Sequence, residues 1–66
     1  MILLKEEKEV LLHYINLFPS RWKSKIKSDW EGRCHPALRH IRNTYGPSWI
    51  MALTADKVRN SKIQGG

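Results

Sequence analysis

The stretch Pro19-Ser20-Arg21-Trp22-Lys23-Ser24-Lys25-Ile26-Lys27-Ser28-Asp29-Trp30-Glu31-Gly32 decides the fold. Trp22, Ile26 and Trp30 recur at every fourth position, which lines one face of a helix. The same three residues also fit strict alternation against Lys23, Lys25, Lys27 and Asp29, so period alone leaves helix and strand open. Composition favours the helix. Lysine, serine and aspartate are poor strand formers, and no hairpin partner follows. Pro19 suits a first helical position and Gly32 suits a helix stop, so the element is expected between them.

The flanks agree with a helical chain. Upstream, Leu4, Leu11, Ile15 and Phe18 keep helical spacing, as do Leu3, Val10, Tyr14 and Leu17, which predicts a helix from about Lys5 to Phe18. Glu6, Glu7 and Glu9 lie in its first turns, where the helix dipole favours anions. They are read there as exposed, with no pocket around them. The apolar arc is wider than a surface helix needs, which means either burial among several neighbours or a self-association face. Downstream, Pro36 to Tyr45 reads as a third helix with Leu38, Ile41 and Tyr45 inward, closed by Gly46 and Pro47. A fourth is expected from Ser48, as N-cap, to about Lys62. The expected fold is all-α, a compact bundle of three to four short helices. It forms one domain over residues 1–66, with residues 63–66 as a flexible tail.

Such a chain has marginal stability unless its packing is dense. Three tryptophans among 66 residues supply that packing. A disulfide within the monomer is excluded, because Cys34 is the only cysteine, and a lone thiol fits a reducing, cytoplasmic setting. The apolar runs are far shorter than the roughly 20 residues of a membrane span. No signal peptide is readable at the start. A homodimer through the first helix is expected to relieve the marginal stability.

Charge is the most informative functional feature. Residues 1–18 carry two lysines against three glutamates, a net of −1, whereas residues 19–66 carry ten lysines and arginines against three acids, a net of +7. Such a basic block points to a polyanion. The candidate nucleic-acid-binding residues are Arg21, Lys23, Lys25, Lys27, Arg39, Arg42, Lys57 and Arg59, with Arg33 inside the same run. Ser48 is added as the head of a helix that faces a phosphate. DNA is the expected ligand ahead of RNA.

Residues 36–62 admit two readings. A helix–turn–helix motif places its second helix in the major groove. A plain helix–loop–helix packing unit is favoured instead, because Trp49-Ile50-Met51 is too apolar to read base edges. The size, charge and helical build resemble those of small regulators encoded by phages and mobile elements. No motif carries the likeness, and no residue role follows from it.

Other chemistries find little support. His13, Cys34, His35 and His40 do not have structural-zinc spacing, so no metal or cofactor is expected. Adjacent Cys34 and His35 are poorly placed as a nucleophile–base pair, and a catalytic function is not expected. The sequence therefore points to a nucleic-acid-binding regulator or architectural factor. The alternative is a protein-binding module or inhibitor that docks on an acidic partner surface, for which an exposed apolar patch around a tryptophan would be the signature.

Overall fold

The computed structural model describes residues 1–32 and 35–65. The chain folds as a compact, mostly helical bundle closed by one small sheet. In order it runs β1 (Ile2–Leu3), α1 (Lys5–Leu17), α2 (Trp22–Trp30), α3 (Pro36–Thr44), α4 (Pro47–Ala52), α5 (Ala55–Arg59) and β2 (Lys62–Ile63).

α1 is the central element, packed against α2, α3 and α5. Most of its broad apolar arc is buried inside the chain: Val10, Leu11 and Ile15 are in the core, and Leu12, Tyr14 and Phe18 pack around them, while Leu4 and Leu17 stay exposed. Burial among several neighbours accounts for most of that arc.

α2 settles the helix–strand ambiguity in favour of the helix. Trp22, Ile26 and Trp30 face the core, with Ile26 fully buried and Trp30 1% exposed. It begins later than expected. Pro19 to Arg21 form a turn in which the Arg21 amide donates to the Phe18 carbonyl at 3.1 Å, and the first helical residue is Trp22. α3 starts at Pro36, where the His35 Nδ1 accepts from the Ala37 amide at 3.0 Å. It ends before Gly46, whose φ of 90° and ψ of 178° only glycine adopts comfortably.

The single helix expected from Ser48 to Lys62 is instead two. Leu53 turns extended, with φ −75° and ψ 150°, and carries its side chain into the core. The Thr54 hydroxyl then accepts from the Lys57 amide at 3.1 Å and caps α5. A local cap competes with continuation of the helix, and here the cap wins. Ser48 consequently lies inside α4, and Gly46 occupies the N-cap position.

The tail expected from residue 63 is engaged at its start. β2 pairs in parallel with β1, Ile2 opposite Lys62 and Leu3 opposite Ile63. The Gln64 amide donates to the Leu3 carbonyl at 2.8 Å. Lys8 fixes the same corner, its Nζ donating to the carbonyls of Ser61 at 2.7 Å and Arg59 at 3.1 Å.

Candidate nucleic-acid interface

α2 is the most basic element, with Arg21 at its N-cap and Lys23, Lys25 and Lys27 along it. Its wheel follows from the buried stripe. With Trp22, Ile26 and Trp30 turned inward, Ser24 and Ser28 lie opposite them and are exposed. Lys23 and Lys27 border these serines on the side of α4. Lys23 Nζ donates to the Met51 carbonyl at 3.0 Å, and Lys27 Nζ lies 4.0 Å from the Met51 sulfur. Lys25 borders them on the side of α1, its ammonium 5.0 Å from the centre of the Phe18 ring. All three lysines are half-buried.

The acid of this helix is withdrawn from the basic face. Asp29 Oδ2 accepts from the Tyr14 hydroxyl on α1. At the far end, Arg42 of α3 donates through Nη1 to the Trp30 carbonyl at 2.7 Å, adding a cation where the helix dipole favours one. None of these contacts is an ion pair. Among the described residues the one lysine or arginine paired with a carboxylate is Arg59, whose Nη1 lies 3.4 Å from Asp56 Oδ1.

The nine expected residues thus fall in three places. Arg21, Lys23, Lys25 and Lys27 share α2, with Arg42 at its end. Arg39 projects from the outer side of α3. Ser48, Lys57 and Arg59 belong to α4 and α5, and α5 packs on α1. Lys57 borders a shallow groove of about 220 Å³ lined by Met1, Trp49, Ala52 and Leu53. Arg33 and Cys34 lie outside the described residues.

The helix–turn–helix alternative does not take shape. α4 has six residues, a length of about 9 Å at 1.5 Å per residue. It exposes Pro47, Ser48, Met51 and Ala52, which offer little to base edges. The phosphate role given to Ser48 has no helix of adequate length behind it.

Two features escaped the sequence reading. The first is the serine pair, whose i, i+4 spacing opposite the tryptophans was its available signal. The second is Glu7, expected in an exposed first turn but 1% exposed. Its Oε1 accepts from the Leu4 amide at 2.8 Å and from the Tyr45 hydroxyl at 3.2 Å. Its Oε2 lies 3.1 Å from His40 Nε2. Tyr45 is held above its ordinary pKa of 10.0, first by burial, then by its bond to Glu7 and the charge of that carboxylate. Of the other histidines, His35 caps α3 and His13 meets the edge of Tyr14 at 5.8 Å, and the two line one open cavity of about 380 Å³ with Glu6, Glu9 and Val10. Among the described residues no three histidine, cysteine or acidic side chains gather as metal ligands. No described helix is long and apolar enough to cross a membrane.

Compared with known proteins, the chain matches no family model, no curated protein and no solved structure.

Proposed function

We propose that the protein binds nucleic acid, DNA ahead of RNA, and presents the outer side of α2 to the phosphate backbone. One observation carries this reading. The cations of α2 are grouped on one element, and among the described residues none is paired with a carboxylate. Their neighbours are carbonyls, a thioether and aromatic rings, which leave the positive field intact for a polyanion. Phosphates neutralised by lysine and arginine release counterions, and this supplies most of the binding free energy at low salt.

The test is fluorescence anisotropy with a labelled 20-base-pair duplex across a salt series. Four engaged cations give a slope of log K against log salt of about −3 to −4. The triple variant Lys23→Ala, Lys25→Ala, Lys27→Ala should reduce the slope to about −1. A slope unchanged in that variant would count against α2 as the contact surface.

A second reading is favoured by a different observation. Trp49 is half-buried and stacked on Tyr45, with ring centres 4.0 Å apart, and it lines the groove with Met1, Ala52 and Lys57. Met51 is 58% exposed on the same short helix. An apolar strip edged by lysines suits an acidic partner protein. Placing a photo-crosslinking residue at Met51 tests it: a discrete protein adduct in cells that disappears on Lys57→Glu supports this reading, and labelling of nucleic acid alone opposes it.

A further inference from the structure

Resting on the nucleic-acid reading, we infer that α2 lies lengthwise along the backbone of a duplex, with the Ser24 and Ser28 hydroxyls on phosphate oxygens, and binds it without sequence preference. The inference follows from what the outer side of α2 contains and what it lacks. At its centre are two hydroxyls one helical turn apart, both exposed. Lys23 and Lys27 run along one border and Lys25 along the other. Hydroxyl and ammonium donors on a straight strip suit phosphate oxygens, and such contacts fix position without reading sequence.

The absences on this strip are equally specific. Trp22 is 6% exposed and Trp30 is 1% exposed, so neither ring is offered to a base. Single-strand binders that ignore sequence depend on stacking against such rings. The bidentate readers of base edges are arginine, asparagine and glutamine. α2 itself holds none of them, and its flanking Arg21 sits at the N-cap, outside the central strip. Asp29, the one carboxylate of α2, is turned to Tyr14 and leaves the strip free of repulsion. What remains is a contact that responds to charge density, and a duplex carries more charge per length than a single strand. Nine residues of helix extend about 13 Å, long enough to reach more than one phosphate of a strand.

The deciding experiment uses the full chain and labelled 20-mers: an A·T-rich duplex, a G·C-rich duplex, a mixed duplex and the single strands of the last, each across a salt series. Two variants are compared with the parent: Ser24→Ala with Ser28→Ala, and Ser24→Asp with Ser28→Asp. Both positions are exposed, and circular dichroism checks that the helices persist. The three duplexes should bind within about threefold of one another, and the mixed duplex at least about fivefold tighter than its single strands. The alanine pair should weaken binding about threefold to tenfold through lost hydroxyl contacts. The aspartate pair should weaken it more than about thirtyfold by setting two anions among the phosphates. Tighter single-strand binding, a tenfold sequence preference, or full binding by a folded aspartate pair overturns the inference while leaving nucleic-acid binding in place. Absence of binding to every probe at low salt overturns the nucleic-acid reading itself.

Discussion

At Glu7 a single carboxylate joins two elements of the fold through three partners. It serves the start of α1 through the Leu4 amide, the end of α3 through the Tyr45 hydroxyl, and the flank of α3 through His40. A buried acceptor with such partners is costly to remove, because its donors are then left without partners. Glu7→Ala should lower the unfolding free energy by about 2–3 kcal/mol. Glu7→Gln, which keeps an acceptor for both Leu4 and Tyr45, should cost less. Urea unfolding of the two variants checks the order. Tyr45 adds a dependence on pH. Its pKa is raised in the folded state above 10.0, so between the unfolded and folded values the native protein holds the extra proton. Its contribution to stability is therefore complete below pH 10 and declines as the pH rises past that point. Tyr45→Phe should flatten this alkaline decline, which urea midpoints between about pH 8 and 11 would register.

Among the elements, α2 shows best what the sequence made legible. Its tryptophan stripe places the buried side, and the opposite side is then determined by the 3.6-residue turn. The same reasoning applied to α1 and α3 locates Leu11, Ile15, Leu38 and Ile41, all buried. It fails where tertiary contacts override the local pattern. Glu7 sits in a first turn that looks solvated, and only the approach of α3 covers it. Residues 48–62 look like one helix because Thr54 is unremarkable until its hydroxyl caps a new one. The extended turn at Leu53 also explains why Ile50 and Val58 reach the core from two separate short helices. The basic residues were legible as a group, but their division between α2 and α5 was not, since charge runs carry no periodic signal of their own. The cap makes a prediction at this scale. Thr54→Ala should cost about 1 kcal/mol, and it should raise amide exchange at Lys57, whose donor then has no acceptor.

For the whole molecule, the small sheet matters more than its four residues suggest. Leu3 is 1% exposed beneath it, and Lys8 binds the carbonyls that lead into β2. Lys8→Met keeps the length and apolar stem of the side chain while removing both hydrogen bonds, and it should cost about 1–2 kcal/mol by thermal or urea unfolding. Ile2 and Lys62 are sixty positions apart in the chain, yet they are partners in a ladder only two residues long. The packing of α1 on α2, α3 and α5 joins segments that are closer in sequence. Few backbone bonds reward the ordering of both chain ends there. The pairing is therefore expected to open before the helices separate, which faster amide exchange at Lys62 and Gln64 than in the middle of α1 would show. The kinetic behaviour expected on this ground is that of a helical bundle with a clasp, which releases its two ends while α1, α2 and α3 stay assembled.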